Sequence, residues 1–108
     1  TADSAVLGKQ VGADLREGKL TLPIIHALQN AGDGNRERML RIVRNKDFSA
    51  AEFKTLIELL NHCGSLDYTR RMAAEHIRQA KQALAVFEPC PAKELLLDIA
   101  DYALARKI

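Results

Sequence analysis

The residues best suited to chemistry lie in one stretch, Gly8-Lys9-Gln10-Val11-Gly12-Ala13-Asp14-Leu15-Arg16-Glu17-Gly18-Lys19-Leu20-Thr21-Leu22-Pro23. Lys9 and Lys19 supply two flexible point charges, which suit the oxygens of a phosphate-bearing ligand. Gly8, Gly12 and Gly18 let the backbone turn at positive φ or come close to a ligand. Asp14 and Glu17 are placed to hold the lysines or to meet a metal through water. The spacing is not a P-loop, because Gly12 and Gly18 stand one position too far apart for G-x-x-x-x-G-K. Residue types alone leave two readings open, an anion-binding segment and an ordinary solvated loop.

The elements that must position these side chains are helical. Residues 1 to about 19 read as loop, with one helical turn at Ala13 to Glu17. A helix is predicted from about Leu20 to Ala31, with Leu20, Ile24, Ile25 and Leu28 on its apolar face and Pro23 tolerated in the first turn. Gly32-Asp33-Gly34-Asn35 reads as a break. A second helix covers about Arg36 to Asn45, with Met39, Leu40 and Val43 inward.

The third helix has the clearest start. Ser49-Ala50-Ala51-Glu52 is a capping box, and Phe48 and Phe53 occupy the two positions of a hydrophobic staple. Its stripe is Phe53, Leu56, Ile57, Leu60 and Cys63, and Gly64 fits a left-handed C′ position. Ser65 is expected to cap a fourth helix, about Leu66 to Phe87, with Asp67 in the first turn and Thr69, Ala73, Ile77, Ala80, Leu84 and Phe87 as a narrow stripe. Pro89 and Pro91 are expected to end it, and a last helix runs from Lys93 to about Arg106, with Leu96, Ile99, Ala100, Ala103 and Leu104 on one side. No β-pattern or repeat is present. The predicted architecture is all-α, one helical region over 1–108 with about five helices.

Composition narrows the function classes. A chain of 108 residues, 47% apolar and 28% charged, has an ordinary globular balance with no disorder signature. A net charge of +2, three Phe, two Tyr and no Trp argue against nucleic acid and against a base-stacking platform. Apolar runs are too short for a transmembrane segment, and no signal-peptide pattern is present. Cys63 and Cys90 lie far apart without a CxxC, which points to reduced thiols and a cytoplasmic setting. His26, His62 and His76 do not combine with these cysteines at any zinc-ligand spacing. The arginines of the second helix are interrupted by Glu37 and read as a solvated face. Cys63 has no positioned base and reads as core, and Tyr68 and Tyr102 read as half-buried helix residues.

The stretch Gly8-Lys9-x-x-Gly12-x-Asp14-Leu15-x-Glu17-Gly18-Lys19-x-Thr21-Leu22-Pro23 resembles the segment after the second aspartate-rich motif of trans-isoprenyl (polyprenyl) diphosphate synthases. Thr1-Ala2-Asp3 resembles the tail of the run that carries that motif. Asn61-His62-Cys63-Gly64-Ser65-Leu66-Asp67-Tyr68-Thr69 is similar to the Cys-Gly-Ser-Leu-x-x-Thr turn of the long-chain, octaprenyl-forming members. The likeness runs from residue 1 to the end, and it implies the C-terminal third of the isoprenoid synthase helical fold.

The resemblance implies a transferase that condenses isopentenyl diphosphate with an allylic diphosphate, the product being a long-chain polyprenyl diphosphate of the kind used for quinone side chains. It implies that Lys9 and Lys19 meet the diphosphate, with Asp14, Glu17, Thr21 and the loosely matching Arg106 as possible support. Mg2+ is implied for the parent enzyme, but its aspartate-rich ligands are absent from these residues. The chain alone is therefore expected to be inactive. It is also expected to self-associate as a homo-oligomer through an apolar surface of Leu20, Ile24, Leu84, Leu96 and Ile99. The alternative, from another class, is a free-standing helical module that binds nucleic acid or a protein partner.

Overall fold

A computed structural model describes residues 2–105, with side chains for 5–103. The fold is all-α, with six helices among the described residues: α1 Ala2–Arg16, α2 Leu22–Asn30, α3 Asp33–Arg44, α4 Ala50–His62, α5 Ser65–Leu84 and α6 Pro91–Ala105. The chain forms two compact units, Thr1–Thr69 and Arg70–Ile108.

The largest departure from expectation is α1, where a loop was predicted. Leu7, Val11 and Leu15 recur every four residues and are all buried, so the segment has a core-facing stripe. Gly8 and Gly12 lie beside that stripe, and each costs about 1 kcal/mol of helix propensity against Ala. They are useful here because α4 comes close. A Cβ on Gly12 would stand 2.9 Å from two atoms of the Phe53 ring, and one on Gly8 would stand 3.4 Å from Ile57 Cδ1. Phe53 and Ile57 are one turn apart on α4, so they fit the notch that the two glycines leave.

Gly18 is the glycine that needs its freedom, with φ +80°. It closes α1 in a Schellman motif. The Gly18 N–H donates to the Leu15 carbonyl at 2.9 Å, and the Lys19 N–H donates to the Asp14 carbonyl at 2.9 Å. α2 then starts at Leu22 rather than Leu20, with Pro23 in its first turn, and buries Pro23, Ile24 and Ala27. Of the apolar face expected here, Ile24 is fully buried and Leu28 packs partly buried against the core, while Leu20 and Ile25 are exposed; Ile24 therefore does not join the open self-association surface expected of it. The predicted break at residues 32–35 is shorter, because α3 already begins at Asp33. Arg36 ties the α2–α3 corner by donating to the Leu28 carbonyl at 2.8 Å and the Ala31 carbonyl at 3.0 Å.

α4 starts as expected. The Glu52 N–H donates to Ser49 Oγ at 3.1 Å, and the Ser49 N–H donates to Glu52 Oε1 at 2.9 Å. The staple is closed, with the Phe48 and Phe53 rings 5.8 Å apart. Leu56, Leu59 and Leu60 complete the buried face of α4, and Gly64 follows its C-cap Cys63 at φ +66°. Ser65 is not the cap of α5 but its first residue. It is fully buried, and its Oγ lies 2.7 Å from His26 Nδ1. The His26 ring also stacks on Tyr68 at 4.1 Å, which ties α2 to the first turn of α5. Both cysteines are free thiols, Cys63 half-buried and Cys90 exposed.

The second unit is different in kind: none of its described residues is buried. α5 ends at Leu84, before the prolines, and Pro91 begins α6 instead of terminating its predecessor. Lys81 pairs with Asp101, and Lys93 Nζ donates to the Phe87 carbonyl at 2.8 Å. Of the predicted stripes, Phe87, Leu96 and Ile99 stay largely exposed, while Ala73, Ile77, Leu84, Ala100 and Ala103 are half-buried. Tyr102 is also mostly exposed. Leu104 and Arg106 lie outside the residues whose side chains are described.

Three substitutions test this arrangement. Ser49→Ala should lower stability by about 1 kcal/mol in thermal melts, since a cap oxygen and its reciprocal bond are lost. In the same melts Lys9→Ala should change little, and equal losses in the two variants would contradict the assignment. Gly12→Ala should also destabilise, by about 1–2 kcal/mol, because overpacking against Phe53 outweighs the gain in helix propensity. A more stable Gly12→Ala protein would show that the ring moves aside freely.

Candidate functional site

The cationic stretch is held by three elements. α1 carries Lys9, Asp14 and Arg16, the turn after it carries Glu17 and Lys19, and the start of α4 supplies Phe48 and Phe53. Folding as helix and turn separates the two lysines that the sequence presents as a pair.

Lys19 lies in the turn with a local partner. Its Nζ is 2.9 Å from Glu17 Oε2, and both side chains are more than half exposed. The hydrogen bond to Glu17 raises the Lys19 pKa above the ordinary lysine value, and the Glu17 and Asp14 charges act in the same direction. Glu17 therefore holds a lysine, as expected. Asp14 helps through its field and through the carbonyl that accepts the Lys19 N–H. Thr21 is the N-cap of α2, but its hydroxyl makes no capping bond; its carbonyl accepts from the N–H groups of Ile24 and Ile25, each at 3.1 Å. Arg106 lies outside the described residues.

Lys9 is exposed on α1 and lines a groove of about 320 Å³ with Gly12, Ala13, Arg16, Phe48 and Phe53. The residue brought beside it is Arg16, seven positions on and therefore on the same helical face. The Arg16 guanidinium lies 4.1 Å from the centroid of the Phe48 ring. This cation–π contact fixes the group over a core aromatic that the staple holds in place. Reading the stretch as loop hid Arg16. The signal was present in the four-residue recurrence of Leu7, Val11 and Leu15, with Gly18 as the stop.

No group of three or more His, Cys, Asp or Glu side chains that could hold a metal ion exists among the described residues. The described residues thus do not fit a magnesium site, and Asp14 and Glu17 serve the Lys19 turn. His26 is engaged with Ser65 and Tyr68 rather than with a cysteine. No helix among the described residues is long and apolar enough to cross a membrane.

Comparison with known proteins bears on this geometry. The family model described as polyprenyl synthetase matches residues 1–60, which include the whole cationic stretch, Phe48 and Phe53. A short chain isoprenyl diphosphate synthase of Methanothermobacter thermautotrophicus is 38% identical over 106 residues, which is 98% of this chain and 32% of that protein. A geranylgeranyl diphosphate synthase of Methanosarcina mazei is 39% identical over 107 residues, 99% of this chain and 31% of that protein. An octaprenyl diphosphate synthase of Escherichia coli is 38% identical over 105 residues, 97% of this chain and 32% of that protein. The chain thus spans about a third of the length of these curated relatives. No solved structure gives a significant match.

The Lys19–Glu17 pair gives a direct test. Glu17→Gln should move the Lys19 titration down toward the ordinary lysine value, read from side-chain NMR shifts against pH. The sign follows from the folded-state pKa being the higher one. The charged form is favoured by folding, and that small contribution is present at lower pH and lost as pH rises through the folded value. An unchanged Lys19 titration would mean that the pair does not persist in solution.

Proposed function

Because the chain belongs to the polyprenyl synthetase family, we propose that it is the C-terminal third of a transferase that condenses isopentenyl diphosphate with an allylic diphosphate. In this reaction the allylic C–O bond breaks and its electron pair leaves with the diphosphate. The double bond of isopentenyl diphosphate then forms the new C–C bond, and a proton is lost. The protein's main service is to stabilise charge on the departing diphosphate.

The observation that carries the reading is Lys9. It is exposed on the rigid α1 helix, lines a groove and has no ion-pair partner among the described residues. A free cation on a fixed element is suited to an anionic group that arrives with the substrate. A lysine–phosphate contact that strengthens only in the transition state, worth about 2 kcal/mol, is more than tenfold in rate. Lys19, set apart in the turn after α1, is a second contact and must exchange Glu17 for the ligand.

The described residues provide no magnesium set, and the Mg2+ that the resemblance implies is assigned to the aspartate-rich motifs of the parent enzyme. The isolated chain should therefore transfer no prenyl group. Exposed Leu95, Leu96 and Ile99 favour self-association of that isolated chain. For product length, the Cys63-Gly64-Ser65-Leu66 turn supports a long-chain, octaprenyl-type product for quinone side chains. Relatives named for shorter products match equally well, and the chain length of the extracted product decides between them.

In the complete enzyme, Lys9→Ala should lower turnover by tens of fold or more, with a smaller loss for Lys19→Ala. Turnover of Lys9→Ala at the wild-type rate with saturating substrates would remove that lysine from the site.

A further inference from the structure

We propose that Arg16 is a further diphosphate-binding residue, acting with Lys9 across the groove floored by Gly12, Ala13, Phe48 and Phe53. The inference rests on the reading of Lys9 above and extends it to a residue that sequence spacing alone did not single out.

Three observations carry it. The first is charge. The groove is lined by two cations and no carboxylate, whereas each of three other surface grooves is lined by at least one acid: Glu52 beside Arg38 and Arg41, Asp33 and Glu37 beside Arg36, and Glu37 beside Arg41 and Arg44. Neither Lys9 nor Arg16 makes an ion pair among the described residues, and the nearest acid in sequence, Glu17, is committed to Lys19. An anion entering the groove therefore displaces no internal partner.

The second is orientation. The guanidinium carbon lies 4.1 Å from the Phe48 ring centroid, and its N–H edge makes no hydrogen bond or ion pair among the described residues. That edge carries the paired donors that match two phosphate oxygens at once. The stacked group has already lost much of its rotamer freedom, so less is lost when the ligand binds. Lys9, about 10 Å of helix rise away at seven residues, offers a mobile charge for the other phosphate.

The third is the fate of the helix terminus. Arg16 is in the last turn of α1, where exposed carbonyls would repel an anion. Here the Schellman turn satisfies the carbonyls of Asp14 and Leu15, and the Glu17 N–H donates to the Ala13 carbonyl at 3.3 Å. The terminus is closed by its own backbone, so Arg16 is not required as its cap. The groove, about 320 Å³, is at the lower end of the range for small-ligand sites.

The test uses the complete enzyme with wild type, Arg16→Gln, Arg16→Lys and, as a charge-matched control outside the groove, Arg44→Gln. Inorganic pyrophosphate is titrated calorimetrically in EDTA, so that direct cation contacts are read without metal. Arg16→Gln should bind about tenfold more weakly, Arg16→Lys should recover part of the loss, and Arg44→Gln should match wild type. In steady-state assays Arg16→Gln should raise KM for the allylic diphosphate several-fold and leave KM for isopentenyl diphosphate unchanged. A purely structural role would not produce that split. Pyrophosphate affinity within twofold of wild type in Arg16→Gln, equal loss in Arg44→Gln, or no pyrophosphate binding by wild type would each overturn the proposal. Prenyl transfer with an unaffected Arg16→Gln enzyme leaves the family reading standing and removes Arg16. Arg16-dependent pyrophosphate binding without prenyl transfer does the reverse.

Discussion

The first unit depends on one close approach, that of the α1 backbone to the Phe53 ring at Gly12. The space in which a side chain would stand 2.9 Å from the ring atoms is left empty by the glycine. This lets α1 lie near enough to α4 for Leu7, Val11 and Leu15 to reach a core shared with Ile24, Met39, Leu56 and Leu60. The ring is also held by Phe48, which stacks on it, and the capping box fixes the backbone between the two aromatics. A helix start on α4 thus determines where α1 can sit. The cations on α1 inherit that position.

The same contact explains why glycines occur inside a helix that propensity disfavours. Two glycines cost about 2 kcal/mol against alanine, a large fraction of the stability of a small unit. Burying Leu7, Val11 and Leu15 returns more, at about 1.5–3 kcal/mol for each fully buried large side chain. Packing therefore wins over local preference. The sequence pattern of Gly8-Lys9-x-x-Gly12 is consequently a packing notch with a lysine on its outer side, and only Gly18 acts as the flexible turn the residue type suggests.

Legibility from the sequence followed the strength of local signals. The start of α4 was readable in full, since Ser49, Glu52, Phe48 and Phe53 each act within five residues of one another. Gly64 was readable as a helix stop for the same reason. α1 was not, because its helical state depends on Phe53 and Ile57 some forty residues away, and three glycines in eleven positions point locally to a loop. Ser65 shows the same failure on a smaller scale. Its residue type and place predict a cap, but the hydroxyl is claimed by His26 from another helix. At the site, Lys9, Lys19, Asp14 and Glu17 were visible as charges in one stretch. Which of them meet was fixed by the helix and its Schellman turn, so Arg16 emerged only with the fold.

The contrast between the two units bears on how the cations can function. Strong electrostatic contacts to a leaving group need donors whose positions do not relax when charge develops. In the proposed role Arg16 meets that need by stacking on a buried ring, and Lys9 adds a mobile charge on a helix anchored by a buried stripe. Helices α5 and α6 beyond Thr69 have no comparable anchor. Their described residues include none that is buried, and the Lys81–Asp101 and Arg78–Glu75 pairs are exposed ones of small net worth. Glu75 is held down to a pKa of about 2 by its hydrogen bond to Arg78, which records a local pairing rather than a core. Exposed Phe87, Leu95, Leu96 and Ile99 can lower the free energy of this unit only by being covered. The unit with the buried core is thus the better anchor for the proposed charge stabilisation.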